Sequence, residues 1–455
     1  MKFTAINPYT AKQLSAFPLI SDADLQQVVA QAEQAFHLWK QQSFKNRGKL
    51  MMNLSALMQQ ESEKLSRLAA EEMGKPIKEA RHEIQKCLTA FSYYADNAAQ
   101  FLKPLHTNLP DGREVVQQYE PYGIILGVFP WNFPYWQIIR SAVPVVMAGN
   151  TILIKPAPNV PQCALALQAL FTQAGFPTGV LQTIFAEENQ VAQLISDKRI
   201  KACTLTGSEK AGAAVASAAA AQIKKSVLEL GGSDPFLVFP DANLEEAVKV
   251  AITSRFQNNG QSCIGAKRFI VHHEVADVFL NMLIAAIKQL PIGNPIDEQT
   301  AIGPLARKDL RDKLAVQVNE SVIKGAHIAW QEKDLPQQGF FYPPTILTDI
   351  KEGMPAFDEE LFGPVIAYYA CNNEDEMLRI ANETQFGLGA SVWTTNDLKA
   401  MHIANSLQAG QVFVNGLVRS DVRFPFGGIK KSGYGRELGE FGMKEFTYIK
   451  TIWRQ

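Results

Sequence analysis

The chain has 455 residues, enough for two to four domains that each bury a core. Hydrophobic residues make up 47% and charged residues 20%, and 44 basic against 45 acidic residues leave a net charge of −1, so no basic surplus asks for a nucleic-acid partner. The opening MKFTAINPYTAKQL has no apolar secretory core, and apolar runs such as Ile124–Phe129 fall far short of the ~20 residues of a membrane helix, which predicts a cytoplasmic or else organellar protein without membrane contact.

In chain order, Ala23–Trp39 and Phe44–Glu72 place apolar residues at helical spacing, and the first hundred residues read as amphipathic helices. Gly74-Lys75-Pro76 stops the second of them. From residue 122 strands and helices alternate. Gly123–Phe129, Thr151–Lys155, Val180–Phe185, Lys201–Leu205 and Ser226–Leu230 read as strands; Cys163–Gln173, Asn189–Ile195 and Glu209–Ala221 read as helices between them. Such alternation predicts a parallel sheet covered by helices, with ligands at the carboxyl ends of its strands. A second α/β alternation follows, with strands at Arg268–His273, Val365–Ala370, Ala390–Thr394 and Val412–Val414 and a helix at Val275–Leu290. Val115–Tyr119 and Phe446–Arg454 read as edge pieces that pair with each other or with another subunit.

The five cysteines form no CxxC pair, and the seven histidines form no set at metal spacing, so neither a disulfide framework nor a metal site is expected. Cys263 stands apart. It lies in the polar, glycine-bearing run Phe256–Ala266 just before an apolar strand, where functional residues concentrate. A lone cysteine is otherwise a small buried hydrophobe. A thiol nucleophile needs a proton acceptor, and no histidine stands in comparable surroundings. Glu229 is the better candidate. It interrupts an apolar strand just before Gly231-Gly232, and burial there would raise its pKa toward that of a general base, unless a lysine pairs with it.

These two segments, Asn258–Cys263 and Glu229–Ser233, resemble the signature motifs of the aldehyde dehydrogenase superfamily, and the likeness runs along nearly the whole chain. Phe129–Pro134 resembles the family's P-W-N-F-P turn. Thr206–Gly212 resembles T-G-S-x-x-x-G, Glu359–Pro364 resembles E-E-x-F-G-P, and Pro425–Glu437 resembles the C-terminal motif. The resemblance implies Cys263 as nucleophile, Glu229 as the base that activates water, and Asn132 with the Cys263 amide as oxyanion donors. It further implies that Trp131, Lys155, Gly207, Ser208, Glu360 and Phe362 hold a nicotinamide dinucleotide. The fold implied is α/β, with two parallel-sheet α/β domains and a small β oligomerisation element. Residues 1–102 and 122–230 would bind the dinucleotide, 231–441 would be catalytic, and 103–121 with 442–455 would build a homodimer or homotetramer.

Within the superfamily the motifs look closest to bacterial succinate semialdehyde dehydrogenases. This implies a small carboxylate-bearing aldehyde as substrate, with Arg140 and Ser420 at substrate-contacting positions. A second arginine common in such enzymes is Gln257 here, a loss that Arg423 could offset. The cofactor expected is NAD, with NADP not excluded, because Pro158 stands where NAD-preferring relatives often carry a carboxylate that repels the 2′-phosphate. Glu437 reads either as a proton-transfer aid to Glu229 or as half of an ion pair. Two rival readings, a cofactor-free esterase and a dead dehydrogenase fold, sit poorly with the dinucleotide motifs and with intact Cys263, Glu229 and Asn132.

Overall fold

Short apolar runs bracketed by glycine and proline become strands buried on both faces, and the computed structural model, which describes residues 2–454, arranges most of them in two sheets. The first sheet has the order Gly433–Tyr434, Lys225–Glu229, Ile200–Thr206, Ile124–Val128, Thr151–Lys155, Leu181–Thr183. All are parallel except the Gly433–Tyr434 edge, where Gly433 pairs with Glu229. Gly433 takes φ +115°, and a Cβ there would collide with the Leu228 carbonyl, so only glycine allows that edge.

The second sheet has the order His327–Gln331, Thr345–Thr348, Val365–Cys371, Ala266–His272, Asp234–Val238, Gly389–Trp393, Gln411–Val414, with only the first strand antiparallel. Helices cover both faces of the two sheets, and four apolar clusters fill the layers between. A third sheet is small and antiparallel. Thr447–Arg454 pairs along its length with Glu114–Pro121, which pairs with Leu105–Asn108. The two segments read as edge pieces thus pair with each other within one chain.

The N-terminal hundred residues differ from the all-helical expectation. Lys2–Ile6 and Gln13–Pro18 form a hairpin, a short alternating pattern that the neighbouring helical periodicity masked. The long helix expected over Phe44–Glu72 breaks at Glu61 into Phe44–Gln60 and Ser62–Met73. Gly74 closes the second of these in the left-handed conformation, with φ +82°. The next helix, Ile77–Phe101, is the longest and matters most for the site. Its Glu83 accepts the backbone N–H groups of Tyr135 and Trp136 at 2.8 and 2.9 Å, and so caps the helix Trp136–Met147. Lys75 neutralises this buried cap at 2.5 Å. No helix of the described residues is long and apolar enough to cross a membrane.

Candidate active site

The carboxyl edge of the first sheet meets the amino edge of the second. Val128, Lys155, Thr206 and Glu229 are the last residues of four neighbouring parallel strands. Facing them are the loops that lead into two parallel strands of the second sheet: Gln257–Gly265 before Ala266–His272, and Glu359–Pro364 before Val365–Cys371.

The loop that carries Cys263 is held by its own polar side chains. Asn258, Asn259 and Gly260 all take left-handed backbone, with φ of 55°, 59° and 76°, a costly run for non-glycine residues. Each is tied down. Asn258 Nδ2 donates to the Asn132 and Gln261 carbonyls at 2.8 and 3.0 Å. Asn259 Nδ2 donates to the Gly74 and Pro304 carbonyls, both at 2.8 Å, and its Oδ1 accepts Gly303 N at 2.6 Å. Arg255 donates to the Gly260 and Ala266 carbonyls. Beyond the cysteine, Lys267 Nζ donates to the Ser262 and Cys263 carbonyls at 2.8 Å each and to Gly265 at 3.2 Å. It also pairs with Glu360 at 3.2 Å.

Cys263 itself is half-buried at the end of a cleft. Burial pushes its thiol up to about 11; Arg140 and then Lys267 pull it down, while Glu360 and Glu229 push it up. Asn132 is buried beside it. One Nδ2 hydrogen goes to the Gln261 carbonyl at 3.1 Å, which leaves the second free. No acceptor among the described residues takes the Cys263 amide.

Glu229 lies 2% exposed, and neither carboxylate oxygen has a hydrogen-bond partner. Burial drives its pKa well above the ordinary carboxyl range; Arg140 opposes this and Glu437 adds to it. Gly427 makes its room, since a Cβ there would lie 2.8 Å from Glu229 Oε1. Glu437 is the partner of Arg140 in a fully buried ion pair. The Arg140 guanidinium also lies 4.7 Å from the Phe426 ring centroid and reaches Thr206 Oγ1 at 3.3 Å. Its guanidinium is therefore already buried and paired with Glu437 through Nε, which disfavours the two-pronged clasp of a substrate carboxylate that the sequence suggested.

The cleft beyond Cys263 has about 330 Å³ of free volume, within the range of cofactor sites. Trp131, Thr206, Gly207, Ser208, Gly231, Glu360 and Phe362 are among its lining residues. Trp131 and Phe362 meet edge to face, 5.8 Å between centroids, and offer flat apolar walls. Ser208 caps the helix Glu209–Ala221, whose free amides and dipole suit a diphosphate. Gly231 leaves space, since a Cβ there would lie 2.6 Å from Glu360 Oε2. Lys155 stands at its strand end with the ammonium 5.5 Å from the Phe3 ring centroid, and burial lowers its pKa. The donors and walls fit a nicotinamide dinucleotide.

On the other side of Cys263 the charges differ from expectation. Arg423 points to solvent and pairs with Asp421 at 2.7 Å, so its guanidinium is already taken. Ser420 is buried and accepts Lys86 Nζ at 2.7 Å. Lys86 comes from the long helix Ile77–Phe101, which no motif marks, and Lys267 likewise sits inside an unremarkable strand. The only trace of Lys86 in the sequence is its i+3 spacing from Glu83, too weak a signal to single it out.

A half-buried thiol, a buried carboxylate without a hydrogen-bond partner and a cleft shaped for a dinucleotide are the parts an α/β oxidoreductase would need. The chain belongs to the aldehyde dehydrogenase family, which matches it over residues 1–452. It is 45% identical over 453 residues, all of both chains, to a probable succinate-semialdehyde dehydrogenase (NADP(+)) of Synechocystis sp.. It is 43% identical to succinate-semialdehyde dehydrogenase (NADP(+)) of Mycobacterium avium, over 100% of this chain and 97% of that one. Among solved structures, the succinic semialdehyde dehydrogenase of Streptococcus pyogenes in complex with NADP+ superposes with TM-score 0.96 at 33% identity, covering 99% of each chain.

Proposed function

We propose that this enzyme oxidises succinate semialdehyde to succinate, with NADP as the hydride acceptor and Cys263 as the nucleophile. The observation that carries the chemistry is the pairing of a half-buried thiol with the buried Glu229 carboxylate, which has no partner of its own. The substrate and cofactor rest on the names of the relatives. Pro158 adds support for NADP, because no carboxylate follows Lys155 at that position to repel a 2′-phosphate.

Cys263 gives its proton to solvent water, and the thiolate attacks the aldehyde carbon. Arg140 and Lys267 lower the cost of the thiolate. The oxyanion of the thiohemiacetal takes the free Asn132 Nδ2 hydrogen and the Cys263 amide, donors worth ~3–4 kcal/mol each in such sites. Bound NADP supplies the acceptor for the hydride that leaves this carbon. A thioester remains on Cys263. Glu229 then takes a proton from water, the hydroxyl adds to the thioester, and succinate leaves as the thiol is restored. A carboxylate without hydrogen bonds and with a raised pKa is suited to accept that proton. Arg140, held by Glu437, keeps a positive charge beside Glu229.

Of the residues that line the cleft, Glu360 would hold the nicotinamide ribose, Gly207 and Ser208 the diphosphate, and Trp131 with Phe362 the nicotinamide. Lys155, at the end of its strand and outside that lining, would hold the adenosine ribose. The third sheet exposes Tyr448, Ile449, Ile452 and Trp453, an apolar edge that suits assembly into a homodimer or homotetramer. The test is a panel of aldehydes assayed with NADP and with NAD at the reduced nicotinamide absorbance. Succinate semialdehyde with NADP should give the highest kcat/KM, and no reduction with any aldehyde would refute the reading.

A further inference from the structure

The helix Ile77–Phe101 presents two charged residues three positions apart, Glu83 and Lys86. Glu83 is occupied, with Lys75 on one oxygen and the Tyr135 and Trp136 amides on the other. Lys86 is not. Its ammonium meets the neutral Ser420 hydroxyl at 2.7 Å and lies 4.5 Å from the Trp136 ring centroid. Three carboxylates of this region already have cations: Glu83 has Lys75, Glu437 has Arg140, and Asp421 has Arg423. Burial and then Arg140 pull the Lys86 pKa down to about 8, while Cys87, Cys263 and Glu83 pull the other way. A half-buried cation that holds only a hydroxyl and an aromatic face gains from the arrival of an anion. The surroundings it shares with Cys263 are apolar. Trp136 belongs to a hydrophobic cluster against which Cys263, Phe133, Ile264 and Val422 all pack.

We propose that Lys86, together with Ser420, anchors the distal carboxylate of the substrate and sets the preference for carboxylate-bearing aldehydes. The proposal rests on the semialdehyde reading above. One carboxylate oxygen takes the ammonium and the other takes the Ser420 hydroxyl, while the methylenes lie along the apolar walls and the aldehyde carbon reaches Cys263. Arg140 does not fill this place, because Glu437 already holds its guanidinium. Nor does Arg423, which is exposed and paired with Asp421. An uncharged aldehyde gains nothing from Lys86, so the discrimination is built into the site.

The test compares kcat/KM for succinate semialdehyde with that for butanal, in the wild type and in Lys86→Met. The ratio should fall about 100-fold in the variant, mostly through a higher KM for the semialdehyde. Lys86→Arg retains a cation and should keep most of the ratio. If Lys86→Met does not fold, Ser420→Ala gives the same readout, with an expected fall of about tenfold in the ratio. A wild type with no preference for the semialdehyde overturns the functional reading, and the anchor with it. A wild type that prefers it, with the ratio unmoved in Lys86→Met, overturns the anchor alone.

Discussion

The loop that carries Cys263 and the pocket that holds Glu229 are opposite solutions to placing a reactive group. Around Cys263 polar groups from Asn258 to Lys267 are largely paired, and the loop accepts three consecutive left-handed residues in exchange for a fixed backbone. Around Glu229 the balance is reversed: both of its oxygens lack hydrogen bonds, and a second buried carboxylate, Glu437, stands within electrostatic reach. In the proposed mechanism the thiolate must meet the aldehyde carbon at one angle, which a rigid frame suits. The proposed base must exchange a proton with water, which an under-bonded, basic carboxylate suits.

That contrast can be broken from either side. Cys263→Ala should lower turnover by at least about 10⁴-fold, measured as reduced cofactor. Asn132→Ala removes one oxyanion donor and should cost about 10²–10³ in kcat. Lys267→Met unties three carbonyls and leaves Glu360 without its cation, so it should destabilise the fold by about 3 kcal/mol in denaturant titration as well as slow turnover. On the carboxylate side, Gly427→Ala presses on Glu229 Oε1 and should slow turnover about tenfold with little loss of cofactor affinity. A further check concerns pH. Alkylation of Cys263 in the free enzyme should rise about tenfold per pH unit from 7 to 9, because the thiol stays mostly protonated below about 11. A rate that is flat over that range would show a thiolate already formed.

Much of this was legible in the residues because it lies in contiguous runs. The strand ends at Lys155, Thr206 and Glu229 follow from apolar runs cut off by glycine or proline, and Cys263 stands out by its polar loop. What was illegible depends on which groups the folded chain pairs, near or far in sequence. Arg140 looks like a free guanidinium until the fold brings Glu437 to it, nearly three hundred residues away. Arg423 looks like a substitute clamp until Asp421, two residues before it, claims it in solvent. Lys86 shares its amphipathic helix with Lys78 and Arg81, and only the packing of that helix against Trp136 and Ser420 sets it apart. The choice between NAD and NADP was not legible either: Pro158 removes a repulsion without itself attracting a phosphate, and it is the relatives that are named for NADP(+).

The most direct measurement is a rapid-mixing trace of Glu229→Gln with succinate semialdehyde and NADP. The account predicts a burst of about one reduced cofactor per site, since attack and hydride transfer do not need Glu229, followed by a steady rate at least about 10²-fold below wild type as the thioester waits for water. A trace with no burst, or a steady rate like that of the wild type, would contradict the division of labour between Cys263 and Glu229.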